Sequence, residues 1–230
     1  DCDDYWCNPG KLEAQVSYLE AHPDCAMTVH AAAVKNDRGE LVNRNLMRPY
    51  CGDRDLSPAE LIDKTGSFPF GAMLLRREVV ENLPDWYFRC PVGDRPLELL
   101  AALKGYCHYA DRFDSVYRFH GAGSWTEEMK SGDLKKKQDA YAIAMRELYR
   151  AFDRESGGRY HRAAVSAARR VYFLTRVNLR DYDEIFSPRY RRYYRELSLR
   201  DRGFIRAERT LPFLFAGLRR LRDRIFRQEG

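Results

Sequence analysis

An unbroken apolar run, CAMTVHAAAV (residues 25–34), most restricts the folds open to this chain. It reads as a buried strand, and a helical pattern leads directly into it. In NPGKLEAQVSYLEAHPD, Asn8 can cap and Pro9 suits the first helical position. Leu12, Val16 and Leu19 recur at helical spacing before Pro23 ends the pattern. The alternation continues downstream. A turn at NDRGE is followed by a loop with a short helix from Ser57, a strand over 70–75 and a helix over 77–83. The segment GDRPLELLAALKG (93–105) is a further amphipathic helix ended by Gly105, and YCHYADRFDSVYRFH (106–120) reads as a strand pair turning near 111–114. Strands alternating with helices define an α/β sheet, in which chemistry collects beyond the carboxyl ends of the strands.

The charge divides the chain. Residues 1–130 carry 15 Lys and Arg against 21 Asp and Glu, a net of −6, whereas residues 131–230 carry 25 against 13, a net of +12. This predicts two modules, an acidic one over 1–130 and a basic helical one over 131–230. In the second, LKKKQDAYAIAMRELYRAFDRE sets Ala140, Ile143, Ala144, Leu148 and Phe152 along one face, and Gly157 and Gly158 break the helix. A second helix follows in YHRAAVSAARRVYFLTRVNL, a third within 186–203 and a fourth in LPFLFAGLRRLRDRIFRQ. The fourth sets Phe213, Leu214, Leu218, Ile225 and Phe226 against a row of arginines. That composition suits an anionic membrane surface. It equally suits a helix docked on its own domain with a solvated basic face. Interleaved Arg and Tyr in RYRRYYR raise nucleic acid as a third partner, which the acidic first module and the lack of a recognised motif argue against.

The six cysteines are scattered without a C-x-x-C pair, and no secretory signal is present, so they read as reduced thiols in a cytoplasmic setting. Cys2 and Cys7 have no His or Cys partner at zinc spacing. The longest strongly apolar run, about 211–218, is far short of the roughly 20 residues a spanning helix needs.

Three segments carry a resemblance. DCDDYWCNPGKLEAQVSYLEAHPD resembles the D-x-D region of family 2 glycosyltransferases of GT-A fold. PVGDRPLELLAALKG is similar to that family's G-D-x-P-L segment, and SVYRFHGAGSW to its Y-R-x-H segment. The three occur in the family's order and span residues 1–126. The resemblance implies the C-terminal part of a GT-A nucleotide-sugar transferase domain, Rossmann-like, followed by an α-helical tail. A nucleotide-binding half precedes the D-x-D motif in that family, so the chain reads as the later portion of such a domain.

The implied activity is metal-dependent, inverting transfer of a sugar from a nucleotide-sugar to a hydroxyl on a saccharide or lipid-linked acceptor, in cell-surface polysaccharide or glycolipid synthesis. By this resemblance Asp3 and Asp4 hold Mg²⁺ or Mn²⁺, hard cations that prefer oxygen ligands. Asp1 supports them or contacts the donor ribose. Arg118 and His120 face the diphosphate or the metal, Trp125 covers the donor or acceptor sugar, and Asp94 is the general base that takes the acceptor proton. A carboxylate at position 94 is also an ordinary helix N-cap, and a His after a strand is often structural. Gly93 stands where relatives place an acid, and Arg95 where they place an aromatic. The implied location is cytoplasmic, with peripheral contact at the inner face of the membrane through the basic last helix. Two rivals stand beside this reading. One is a non-catalytic basic helical module carrying a degenerate transferase remnant. The other is a nucleotidyltransferase, which lacks the Y-R-x-H segment.

Overall fold

The computed structural model describes residues 4–36, 38–42, 47–63, 68–118, 129, 132–213 and 215. The chain forms two compact units, Asp1–Tyr172 and Phe173–Gly230. The change of charge falls at 130/131, whereas the units divide at 172/173.

The first unit is built on a five-stranded mixed sheet. β2 (Cys25–Lys35) lies parallel to β5 (Tyr106–Arg118), and the short β4 (Leu74–Leu75) pairs antiparallel with the other edge of β2. β1 (Tyr5–Trp6) and β3 (Arg54–Leu56) both pair antiparallel with β5, β3 near its start and β1 near its end. α/β class is therefore what the sheet and its flanking helices show.

Alternate residues of β2 face different neighbours. Met27, Val29 and Ala31 enter the main core with Cys107 and Tyr109 of β5. Covering this face are α2 (Pro58–Asp63), α5 (Asp94–Lys104), α6 (Leu134–Glu155) and the first turns of α7 (His161–Leu179), through Leu61, Leu99, Met145, Phe152 and Ala167. Thus helices beyond residue 131 complete the core of the sheet domain. α1 (Lys11–Ala21) packs over β2 and, through Tyr18, stacks on His108, the β5 neighbour of Cys107 and Tyr109.

Gly105 is required by a close approach. A Cβ there would lie 2.1 Å from the Asp24 carbonyl oxygen, which accepts a hydrogen bond from the Tyr106 amide. α5 therefore ends where β5 begins, as the sequence predicts.

Four expectations are corrected. Residues 106–118 form one long strand and not a hairpin. Register shifts between His30 and Ala31, and again between Ala31 and Ala32, accommodate the would-be turn as bulges. Asp111, expected in that turn, is held from the side: Arg48 donates to both its carboxylate oxygens at 2.6 Å, the Gly52 amide donates at 2.7 Å, and the Asp111 amide donates to Asp53.

The strand expected over 70–75 is a 3-10 turn at Phe70–Ala72 followed by the two residues of β4. The helix expected over 77–83 is one turn, α3 (Arg77–Val80), and a second single turn follows, α4 (Asp85–Phe88). Finally, α1 buries a different face. Leu12 and Val16 are each 41% exposed, while Lys11, Gln15 and Leu19 are buried. The cause is a hydrogen-bonding demand: Gln15 Nε2 donates to the carbonyls of Thr28 (3.3 Å) and Ala72 (3.0 Å), which are otherwise covered by the helix.

In the second unit, α8 (Tyr182–Ile185) is capped by Asp181, and α10 (Leu199–Thr210) by Ser198. Between them a 3-10 turn at Pro188–Tyr190 leads into α9 (Arg191–Glu196). Phe173, Tyr190 and Tyr193 form the aromatic centre, with ring centroids 6.0–6.3 Å apart. Among the described residues no helix is long and apolar enough to cross a membrane. Most of the expected fourth helix, 216–230, lies outside the described residues.

Candidate active site

The carboxyl end of the parallel pair β2/β5 gathers two of the three motif segments. β1, which follows Asp4 directly, pairs Tyr5 with Val116 and Trp6 with Ser115. The Arg118 amide donates to Asp4 Oδ1 at 3.0 Å. The Arg118 guanidinium sits 5.9 Å from the centroid of the Tyr5 ring. Residues 114 positions apart in the sequence are thereby placed at one end of the sheet. Asp1, Asp3, His120 and Trp125 lie outside the described residues.

The segment after Asp4 is fixed at almost every residue. The Trp6 indole N–H donates to the Gly71 carbonyl (2.9 Å). The Cys7 amide donates to the Asp114 carbonyl (3.0 Å), and Asn8 Nδ2 to the Asp114 carboxylate (2.7 Å). Asn8 is not the cap of α1, since the cap position is Gly10; its Oδ1 instead accepts from the Gly10 amide.

Beneath this loop lies Lys11, only 1% exposed, its ammonium 4.2 Å from the Trp6 ring centroid and donating to Gln15 Oε1 (2.8 Å). Burial lowers the Lys11 pKa, while Asp114 opposes the shift. His30 is equally buried. Its Nδ1 meets the Ala31 carbonyl at 2.8 Å, its Nε2 has no partner among the described residues, and burial lowers its pKa. Sequence reasoning missed Lys11, Gln15 and Asp114 as supports of this loop. Lys11 and Gln15 did carry a signal, four positions apart in line with Leu19.

Asp94 is the first residue of α5 and half-buried, its Oδ1 accepting from the Arg95 amide at 2.7 Å. Burial raises its pKa, and Arg95 pulls it back. Among the described residues no hydrogen bond or ion pair joins it to Asp4 or Arg118. Arg95 turns into the core. It donates to Tyr149 Oη (2.8 Å), to the Leu61 carbonyl (2.9 Å), to the Ile62 carbonyl and to Glu98, closing the end of α2 and tying α2, α5 and α6 together. Arg95 thus serves the core of the first unit.

For a hard divalent cation, Asp4 supplies one oxygen donor of suitable chemistry. Among the described residues no group of three His, Cys, Asp or Glu side chains is placed to hold a metal.

No protein-family profile matches this chain. Uncharacterized proteins from two strains of Mycobacterium tuberculosis and from Mycobacterium bovis are 28% identical to it over 129 residues, covering 54% of the chain and 34% of each relative. The chain thus matches about a third of the length of these relatives.

Proposed function

We propose that this chain belongs to a glycosyltransferase that moves a sugar from a nucleotide-sugar to a hydroxyl acceptor. The observation that supports the reading is the Arg118–Asp4 hydrogen bond, which unites the acid-rich segment and the Y-R-x-H-like segment at the carboxyl end of a parallel strand pair. In this scheme Asp3 and Asp4 hold Mg²⁺ or Mn²⁺, which when bound offsets charge on the departing diphosphate. Arg118 and His120 add positive charge there, Trp125 covers the sugar, and Asp94 accepts the acceptor hydroxyl proton. A carboxyl group whose pKa burial raises is the stronger base, which suits that role.

Transfer is to be measured with a panel of nucleotide-sugars on the longest natural chain containing these residues. Asp4→Asn should cut turnover at least ~10²-fold, the scale of losing one strong charge stabiliser. Asp94→Asn should abolish turnover while donor binding, measured by calorimetry, stays intact. Unchanged turnover of Asp4→Asn in the presence of a chelator would sink the assignment.

A further inference from the structure

We propose that the second unit carries a phosphoryl-binding pocket formed by Arg191 and Arg206 against the aromatic wall of Phe186 and Tyr194. The inference stands apart from the transferase reading and rests on this unit alone. A cavity of about 330 Å³ is lined by Ile185, Phe186, Pro188, Arg191, Tyr194 and Arg206.

Its floor is rigid. The Tyr194 hydroxyl donates to the Arg202 carbonyl at 3.2 Å, joining α9 to α10, and the Phe186 and Tyr194 rings lie 5.1 Å apart. The Arg206 guanidinium centre lies 5.8 Å from the Tyr194 ring centroid, and that of Arg209 4.6 Å from Phe186.

The charge distribution is what calls for a ligand. Three described carboxylates of this unit neutralise other arginines: Asp181 faces Arg176 at 3.8 Å, Glu208 faces Arg180 at 2.8 Å, and Glu196 faces Arg192 at 3.1 Å, while Asp183 and Glu184 of α8 form no ion pair among the described residues. Asp201 is engaged with Ser198 at the start of α10. Among the described residues no carboxylate pairs with Arg191 or Arg206, although both line one cavity. Like charges sharing a cavity repel until an anion enters, and a guanidinium fork held against a ring is oriented for bidentate binding of phosphate oxygens. Ile185, Phe186 and Pro188 add an apolar wall that favours a phosphoryl group attached to something hydrophobic over a bare anion. The RYRRYYR segment, ambiguous in the sequence, is where Arg191 and Tyr194 of this pocket come from.

A phospholipid headgroup and a soluble phosphate ester share this chemistry, and two assays on the full chain separate them. In calorimetric titration with inorganic phosphate, saturable binding is expected, weakened at least roughly tenfold by the double change Arg191→Gln with Arg206→Gln. The double change Arg195→Gln with Arg200→Gln removes the same charge outside the cavity and should leave binding unaltered. Both pairs are exposed, so circular dichroism should show the fold intact in each. In co-sedimentation, phosphatidylcholine vesicles with and without phosphatidic acid identify the source. Pocket-dependent pelleting with phosphatidic acid assigns a lipid headgroup, and phosphate binding without pelleting assigns a soluble ester. Equal losses from the two double changes, or no response of the unaltered chain to either phosphate or phosphatidic acid, would overturn the proposal.

Discussion

Arg95→Met is the substitution from which the structure allows the most to be worked out. Arg95 and Glu98 are 3% and 2% exposed, and the guanidinium also serves Tyr149 and the last carbonyls of α2. Removing it strands a buried carboxylate, a change that costs about 3–5 kcal/mol. The Leu61 and Ile62 carbonyls lose their donor, adding about 1 kcal/mol or more. Methionine fills part of the volume, so cavity terms stay small. The expected loss is about 4–6 kcal/mol near pH 8.

The double change with Glu98→Leu removes the stranded charge and should recover about half of that loss, about 2–3 kcal/mol, so the double change should cost far less than the two single changes summed. The loss should also depend on pH. Burial pushes the Glu98 carboxyl up to about 7 even with Arg95 present. A raised acid binds its proton more tightly folded than unfolded, so its contribution is fullest below its ordinary value of 4.5 and declines as pH rises through 7. Without Arg95 the rise is larger, so Arg95→Met should lose distinctly less stability at pH 5 than at pH 8. Urea denaturation followed by circular dichroism at both pH values measures this. Additive single and double changes, or a loss below about 1 kcal/mol, would refute the reasoning.

Gly105→Ala should cost about 3 kcal/mol or prevent folding, because the added methyl meets the Asp24 backbone, which cannot swing aside; a change in denaturation midpoint too small to resolve would contradict it. Asp111→Asn should flatten the acid limb of the stability curve. Hydrogen bonds from Arg48 and the Gly52 amide hold the Asp111 carboxyl well below its ordinary 3.8, so its contribution is present above 3.8 and is lost as pH falls below it; stability profiles of the two chains that fall in parallel below pH 4 would refute this. Lys11→Met should cost about 1–3 kcal/mol, since Gln15 Oε1 loses its donor in a buried site. It should also remove a slope: burial lowers Lys11 below 10.5, so the native chain gains stability as pH rises toward 10.5, and the variant should not.

The sequence pattern located the main elements where local signals were strong. CAMTVHAAAV became β2, Gly105 ended α5, and Gly157 and Gly158, both at positive φ, ended the helix before them. What escaped it was governed by distant partners. β1 and β3 are two and three residues long and exist because β5 offers them an edge; no local pattern marks such strands. The hairpin reading of 106–120 failed because Arg48, Gly52 and Asp53 hold Asp111 in a bulge from more than fifty positions away. On α1 the apolar residues marked the helix correctly but not its buried side, which carbonyls of Thr28 and Ala72 dictated. Of the motif residues, the bond between Asp4 and Arg118 has the same character: each segment was readable, their meeting was not.

The supports of that meeting explain why a lysine is buried there at all. The Asp4 segment has few apolar contacts of its own: Tyr5 and Trp6 are 41% and 55% exposed. A loop of that kind is ordinarily mobile. Here Trp6 is trapped between the Gly71 carbonyl and the Lys11 ammonium, and Asn8 and Cys7 are both held by Asp114. Lys11 and Asp114 are 1% and 5% exposed, and the Asp114 charge offsets part of the cost of burying the Lys11 ammonium. An apolar pair would have been cheaper to bury but would give the Trp6 ring face no cation and the loop no directional bonds. On the proposed function, the Asp4 carboxylate would have to be held to within a fraction of an ångström, and packing alone cannot do that on an exposed two-residue strand. The polar core under α1 is therefore best understood as stability given up for the position of Asp4.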